Sequence, residues 1–311
     1  GSDSQIVQLK AESVVLDEEL GIRYDAERDT FYGTPAISGE YPIKFEYLEN
    51  NNWLAGHCTF IITADPRSLW QVNEPDAELL YPKPHTAHQL IKTDSYSIAA
   101  ASRRGRSHEH AGSFRDDDFF IQSIEDTGWS ILAVADGAGS ANYSREGSNI
   151  AVQTSGKIIG EHIAQNAELF EQYLQEWQQD SAEQPEKSAS QALYNSFYEV
   201  FSRAAMSSIE EIEKAAKHLG VSAKTFATTL LIAVVKRCGN KTFVCTFWVG
   251  DGAIAVYIPD MMRLMGTPDG GEFAGQTRFL DKAINAQFDK RVSIGFFENV
   301  QAIILMCDGI S

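Results

Sequence analysis

Residues 131–137 read Ile-Leu-Ala-Val-Ala-Asp-Gly, an apolar run that stops at an acid followed by glycine. The same pattern recurs where residues 243–249 precede Asp251-Gly252 and where residues 302–307 precede Asp308-Gly309. A continuous apolar run of this kind is typical of a strand that is buried on both faces. A single Asp-Gly pair usually marks a turn, but three pairs after three core strands predict strand ends that present functional carboxylates.

A cluster of acids, Asp116-Asp117-Asp118, lies ahead of another short apolar run at residues 119–121. Clustered carboxylates repel one another unless a cation lies among them, and their hard oxygen atoms suit Mg²⁺ or Mn²⁺. Together with the three strand ends, this cluster predicts a divalent-metal site. By contrast, Asp118 is expected at the solvated surface, and Asp269-Gly270, which no apolar run precedes, is interpreted as an ordinary turn.

The composition excludes several classes of partner. The chain has 311 residues, is 43% hydrophobic and carries a net charge of −17. An acidic chain of this kind is not expected to bind nucleic acid or an anionic membrane surface, because both need clustered Lys and Arg. No apolar run reaches the roughly 18 residues of a membrane span, and no signal segment is recognised, so a cytoplasmic protein is expected. The four cysteines lack Cys-x-x-Cys spacing and are predicted to be buried, reduced thiols.

Three segments are predicted along the chain. Residues 1–64 alternate short β-rich stretches with Gly and Pro turns, which indicates a small all-β sandwich. Residues 65–94 are rich in Pro, Asp and His and are interpreted as a linker or an extended packing strap. In residues 95–311 strands mix with long helices, which predicts an α+β domain whose helices cover sheet faces.

The amino-terminal segment resembles the immunoglobulin-like repeats of bacterial multidomain proteins. The resemblance spans residues 8–63 and rests on Tyr24-Asp25, Gly33-Thr34-Pro35 and the strand that begins Gly39-Glu40-Tyr41. Modules of that kind space domains or dock a partner, and nothing in the segment decides between the two.

Residues 95–311 resemble the type 2C metal-dependent protein phosphatases, in particular their bacterial branch. The resemblance rests on the order of the acid cluster, Ala-Asp-Gly-Ala-Gly-Ser at 135–140, Thr228-Thr229-Leu230, Val-Gly-Asp-Gly at 249–252, and Thr-Pro-x-x-Gly-Glu-Phe at 267–273. It implies a β-sandwich of two antiparallel sheets flanked by helix pairs. The implied activity is hydrolysis of phosphoserine and phosphothreonine with two Mn²⁺ or Mg²⁺ ions. A phosphoprotein substrate, such as a Ser/Thr kinase or its target, is the implied partner.

The same resemblance implies roles for individual acids. Asp136 would bridge the two metals and be essential for catalysis, and Gly137 would add its carbonyl oxygen. Asp308 would hold the first metal, while Asp117, with Asp116 acting through water, would hold the second. A weaker third ion would lie at Asp251.

Three positions depart from the family pattern. Relatives carry a His, proposed as a general acid, where this chain has Ala138, so the leaving group must be protonated by water or another side chain. Relatives bind the substrate phosphate with the Arg of Gly-x-x-Arg, which reads Gly105-Arg106-Ser107-His108 here. His108 is the first choice for this catalytic and substrate-binding role, with Arg106 and Arg115 as substitutes. The last metal-binding Asp of relatives lies beyond Ser311, so a shortened carboxyl terminus and weakened metal binding are expected.

Alternatives remain open at this point. A catalytically weak phosphoprotein-binding or scaffold protein of the same fold is favoured by Ala138 and by the missing last acid. A phosphohydrolase with an aspartyl nucleophile is disfavoured, because it needs an apolar strand followed by Asp-x-Asp-x-Thr, and the segment before Asp116 is not apolar. A calcium loop fails as well, since Phe119 and Phe120 occupy ligand positions.

Overall fold

The computed structural model describes residues 8–28, 30–35, 37–65, 71–179, 188–266, 268–269 and 277–308. The chain divides into two compact units at residues 71 and 72. This division lies inside the segment 65–94 that the sequence indicates as a linker. Residues 86–92 of that segment instead form a strand of the second unit, because their backbone pairs with the strand that follows.

The first unit consists of antiparallel strands. Its strands are β1 (Gln8–Leu9), β2 (Ile22–Asp25), β3 (Thr30–Gly33), β4 (Gly39–Glu49) and β5 (Asn52–Ile62). β4 pairs with both β1 and β5, whereas β2 and β3 form a separate hairpin. Asn50 and Asn51, both with positive φ, make the two-residue turn between β4 and β5, a conformation that asparagine tolerates. The strands agree with the predicted all-β character, and the immunoglobulin-like assignment stays a prediction.

The cysteines do not share one environment. Cys245 is fully buried, as predicted, but Cys58 on β5 is exposed. That expectation was wrong because the apolar run around Cys58 belongs to a strand with mostly exposed side chains.

None of the helices in the described ranges has the length and apolarity of a membrane span.

The second unit is built around a five-stranded antiparallel sheet. The strands of the whole unit are β6 (Thr86–Lys92), β7 (Ser97–Arg103), β8 (Asp118–Ile124), β9 (Trp129–Ala135), β10 (Leu230–Cys238), β11 (Lys241–Val249), β12 (Ala253–Ile258), β13 (Met261–Leu264), β14 (Val292–Glu298) and β15 (Ala302–Met306). The central sheet has the order β14-β11-β10-β9-β8. A three-stranded sheet, β13-β12-β15, and the hairpin β6-β7 complete the strands.

Two long helices, α2 (Ser144–Gln179) and α3 (Ala189–Leu219), cover one face of the central sheet. α3 begins after Ser188, whose side chain accepts a hydrogen bond from the backbone of Gln191, and ends at Gly220 in the left-handed conformation. The helices pack around Trp129 of β9, whose ring lies 5.8 Å from that of Phe170 on α2 and 5.8 Å from that of Phe197 on α3. Burial of such large rings dominates the energy of the core.

The opposite face of the central sheet packs on the three-stranded sheet. Along β10, Leu230, Ile232 and Val234 face the helix core, whereas Leu231, Ala233 and Val235 face the second core. This double burial explains why the strand is apolar throughout, because successive side chains point to opposite faces. The α+β prediction is therefore confirmed. Within the described residues, one pair of long helices, α2 and α3, flanks the sandwich. The family resemblance implied more than one such pair.

Candidate metal centre

Three acids from distant parts of the sequence meet at one edge of the second unit. Asp136 directly follows β9, Asp117 directly precedes β8, and Asp308 lies just after β15. The carboxyl group of Asp136 makes hydrogen-bond contact with those of both Asp117 and Asp308. Ligand atoms of Asp117, Asp136 and Cys307 all lie within 4.8 Å of one another. The structure thus brings together the three acids that the sequence analysis placed in one metal site.

The electrostatics of this cluster favour a bound cation. The pKa of Asp136 is raised to about 9, first by burial and then by the charges and hydrogen bonds of Asp117 and Asp308. Carboxyl groups that cannot all ionise at neutral pH hold a proton that a divalent ion would displace. Their oxygen atoms are the donors that Mg²⁺ and Mn²⁺ prefer, so the residues present fit these ions. Burial, followed by the neighbouring acids, raises the pKa of the Cys307 thiol far above its ordinary value, which makes it the weaker ligand.

Two threonines that directly precede β10 hold the backbone of Asp136 through hydrogen bonds. The amide of Asp136 donates to Oγ1 of Thr229 at 2.9 Å, and its carbonyl accepts from the Thr229 amide at 2.8 Å and from Oγ1 of Thr228 at 3.0 Å. Gly137 lies so close to Asp116 that a Cβ would come within 2.7 Å of the Asp116 carbonyl oxygen. Glycine at this position therefore permits the close backbone approach that sets the acids together.

Asp116 borders the three-acid cluster. Its carbonyl oxygen accepts a hydrogen bond from Oγ of Ser148 at 2.5 Å, and its carboxylate lies 3.9 Å from Nδ1 of His108. Burial raises the pKa of Asp116, while the charges of His108 and Arg145 and a hydrogen bond from Ser144 oppose that rise. Its predicted role as a ligand through water remains a prediction.

A cleft of about 610 Å³ opens over these acids. Asp117, Asp136 and Asp308 line it together with Arg106 and His108. Arg106 is the exposed first residue of the short helix α1 (Arg106–Ala111), and Nδ1 of His108 lies 2.8 Å from Oγ of Ser113. Both of these predicted phosphate-binding candidates therefore lie beside the acid cluster.

A sequence model of the Protein phosphatase 2C family matches residues 104–311. The chain belongs to this family. The curated proteins contain no match to it. Solved structures similar to it include a bacterial serine phosphatase, 12% identical over 73% of this chain and 78% of that one, with a TM-score of 0.34. They also include Stp1 from Staphylococcus aureus, at 13% identity, 76% and 78% coverage and a TM-score of 0.34.

RsbX in complex with magnesium is a third similar structure, at 13% identity, 73% and 74% coverage and a TM-score of 0.33. At these identities and scores, family membership rests on the sequence model alone.

In this phosphatase-family domain, Arg115 also lines the cleft over the acids, but its side chain is largely engaged with neighbouring groups. Its guanidinium is 5% exposed and donates to the carbonyl oxygens of Pro84 at 3.1 Å and Asp117 at 2.5 Å. Nη1 of Arg115 thus helps to fix the backbone of Asp117, and the predicted role of Arg115 in substrate binding remains a prediction. Asp118, expected at the surface, is 15% exposed and lies 3.6 Å from Arg115.

Lys83 is a component of the centre that the sequence analysis missed. Its ammonium nitrogen lies 2.9 Å from Oδ2 of Asp118 and donates to the carbonyl oxygen of Asp117 at 3.2 Å and to Oγ of Ser148 at 3.2 Å. Burial lowers the pKa of Lys83, and the charge of Asp118 opposes this shift. Lys83 comes from the segment predicted as a linker, where no periodicity marks a buried side chain.

Replacement of Lys83 by Met should weaken both the fold and metal binding. Among the described residues, Asp118 would keep only Arg115 as a cationic neighbour. We expect the free energy of unfolding to fall by about 2–3 kcal/mol, below the full cost of breaking a buried pair. Lys157→Met, at an exposed position on α2, is the matched control. Urea denaturation and calorimetric Mn²⁺ titration of both variants measure the two effects. Equal behaviour of Lys83→Met and Lys157→Met would contradict this role.

Asp251 and Asp269 have separate environments. Oγ1 of Thr277 donates to the Asp251 carboxylate at 2.5 Å. Of the four acids whose charges raise the pKa of Cys307, Asp251 has the smallest effect. Asp269, interpreted as part of an ordinary turn, instead binds Arg291 through both carboxylate oxygens at 2.6 and 3.1 Å and accepts from the amide of Gly250 at 3.1 Å. The bidentate pair attaches the segment after β13 to the start of β14, and the hydrogen bond from Gly250 attaches it to the end of β11.

Proposed function

We propose that this chain is a metal-dependent protein phosphatase that hydrolyses phosphoserine and phosphothreonine in proteins. The observation that carries the proposal is the meeting of Asp117, Asp136 and Asp308, with the pKa of Asp136 raised to about 9. Membership of the family supplies the reaction class. The convergence of the acids supports a working site rather than a fold that has lost it.

The acids would hold two Mn²⁺ or Mg²⁺ ions, with a third, weaker position at Asp251. The bound pair supplies an activated water and neutralises charge on the phosphoryl oxygens. Asp136, which makes hydrogen-bond contact with both Asp117 and Asp308, would contribute to both metal positions. Gly137 would add its carbonyl oxygen, and Asp116 would act through water. Lys83 and Arg115 would fix the position of Asp117, because both donate hydrogen bonds to its carbonyl oxygen.

Arg106 and His108 would orient the phosphate of the substrate. Both line the cleft above the acids, and a cationic side chain there offsets the negative charge that the phosphate brings. The methyl side chain of Ala138 cannot act as a general acid. The oxygen atom of the leaving group would therefore take its proton from water or from His108. The partner is a phosphoprotein, for which a Ser/Thr kinase or its target is the expectation.

The second candidate function is a phosphoprotein-binding or scaffold protein that turns over slowly or not at all. Ala138 favours it, because the position holds no general acid. The two candidates differ in one measurement, hydrolysis of p-nitrophenyl phosphate and of a phosphothreonine peptide with and without Mn²⁺. We expect saturable hydrolysis that requires the metal. Binding of Mn²⁺ and of the phosphopeptide without hydrolysis would favour the scaffold.

The metal-free protein should lose stability as the pH rises from 6 to 9. A carboxyl group whose pKa is about 9 when folded and near 3.8 when unfolded keeps an extra proton in the folded state across this window. Unfolding releases that proton, so a higher pH favours the unfolded state. Thermal unfolding in EDTA at several pH values measures the slope. Asp136→Asn, which cannot ionise there, should show a smaller slope, and equal slopes would contradict the assignment.

A further inference from the structure

A second cleft, of about 460 Å³, lies beside the one over the acids. Its lining includes Ser113, Asn142 and Arg145, and it shares Ser107, His108 and Asp116 with the larger cleft. Asp117, Asp136 and Asp308 line only the larger cleft. The second cleft is therefore a neighbour of the metal centre, and the two meet along one wall.

Arg145, the second residue of α2, is the unusual side chain in this second cleft. It is 7% exposed, its Nη2 donates to the carbonyl oxygen of Asn142 at 3.0 Å, and its guanidinium carbon lies 5.4 Å from the ring centre of Phe114. Within the described part of the chain, Nε and Nη1 are buried without a hydrogen-bond partner. A buried donor without a partner destabilises the protein, more so when it is charged, so these two nitrogens call for an acceptor.

No acid of the described chain pairs with Arg145. The charge of Arg145 opposes the rise that burial causes in the pKa of Asp116, but the two side chains form no ion pair in the described structure, and Asp116 takes a hydrogen bond from Ser144. The facing titratable groups are thus His108 and Asp116. The amino terminus of the long helix α2 adds a partial positive charge at the same place. A guanidinium in this setting matches the oxygen atoms of a phosphate or a carboxylate.

We propose that this second cleft is a substrate subsite for an anionic group next to the reacting phosphoserine or phosphothreonine, and that Arg145 selects substrates that carry one. The group is a second phosphate or an acidic side chain within a few residues of the target. This inference rests on the proposed phosphatase function. The reacting phosphate itself belongs over the acids, where Arg106 and His108, rather than Arg145, are at hand.

Three phosphothreonine peptides of otherwise equal sequence test the subsite. Their neighbouring residue is Ala, Asp or phosphoserine, and p-nitrophenyl phosphate, which has no neighbouring group, serves as the reference substrate. The measured quantity is the ratio of kcat/KM for an anionic peptide to that for the Ala peptide. We expect a ratio of about ten or more for the wild type, the worth of one charge-assisted hydrogen bond. Preference for only one of the anionic peptides identifies a phosphate or a carboxylate as the natural group.

The variants Arg145→Gln and Arg145→Lys complete the test. The ratio should fall to about one in Arg145→Gln, because its amide carries no charge, and Arg145→Lys should retain part of it. A wild-type ratio near one, or a ratio that survives in Arg145→Gln, would overturn the proposal. So would an equal fractional loss on all peptides and on p-nitrophenyl phosphate, which would assign Arg145 to the reacting phosphate. Circular dichroism and thermal unfolding show whether each variant is folded.

Failure of the phosphatase function can be told apart from failure of the subsite. If the wild type hydrolyses none of the substrates, calorimetric binding of the same peptides to the wild type and to Arg145→Gln still measures the preference. Tighter binding of the anionic peptides that Arg145→Gln loses would support the subsite without catalysis. Equal affinities for all three peptides would reject it.

Discussion

Replacing Asp136 by Asn should lower Mn²⁺-dependent hydrolysis of a phosphothreonine peptide by about a thousandfold, the equivalent of about 4 kcal/mol in the barrier. Asp136 is the acid that contacts both Asp117 and Asp308, so its loss removes the ligand common to the two proposed metal positions. An amide has neither the charge nor the second anionic oxygen of a carboxylate. Steady-state kinetics at saturating Mn²⁺ measure the effect.

The free energy of unfolding of Asp136→Asn should show that its lost activity does not come from misfolding. The raised pKa means that Asp136 must take up a proton on folding at neutral pH, a cost that Asn avoids. Metal-free Asp136→Asn should therefore be at least as stable as the wild type, while its stabilisation by Mn²⁺ should largely disappear. Asp126→Asn, in an exposed turn with positive φ that Asn also tolerates, is the matched control and should behave as the wild type. Full activity of Asp136→Asn would show that the chemistry takes place elsewhere.

The second large effect is expected for Gly147→Ala. Gly147 lies in the first turn of α2, and a Cβ there would overlap the carbonyl oxygen of Phe226 and lie 2.9 Å from its carbonyl carbon. Because both partners are backbone, the helix and the segment at Phe226 would have to separate. We expect a loss of about 3 kcal/mol in the free energy of unfolding, the upper range for overpacking.

That separation should also disturb the metal centre. The segment at Phe226 leads directly to Thr228 and Thr229, which hold the backbone of Asp136. We therefore expect Gly147→Ala to bind Mn²⁺ more weakly than the wild type. Gly139→Ala is the control, because a Cβ at Gly139 would meet no atom within 4 Å. Chemical denaturation and Mn²⁺ titration of the two variants measure both effects, and equal stabilities would contradict the proposed clash.

The acids of the centre could be predicted because a local pattern marks each of them. An apolar strand gains nothing by ending in Asp-Gly, so Asp136 and Asp308 stand out without knowledge of the fold. The continuous apolar run of β9 likewise indicated burial on both faces, and its side chains do alternate between two cores. Patterns of this kind depend on residues that are neighbours in sequence.

The residues behind the acids could not be predicted, because their partners are distant in sequence. Lys83 meets Asp117 and Asp118 across more than thirty positions, and Arg115 has the same local context whether it faces solvent or the backbone. Asp118 was therefore assigned to the surface. The role of Asp269 depends on Arg291, twenty-two residues away. A charged side chain becomes interpretable only when its neighbours in space are known.

The most direct test of the metal centre is anomalous diffraction at the manganese absorption edge, from crystals of this chain grown with Mn²⁺. We expect anomalous peaks between Asp117, Asp136 and Asp308, with oxygen atoms of Asp136 at about 2.1 Å from the metal. Lys83 and Arg115 should lie behind the acids as they do here, without touching the metal. Well-ordered acids with no anomalous peak among them at saturating Mn²⁺ would contradict the proposed metal centre.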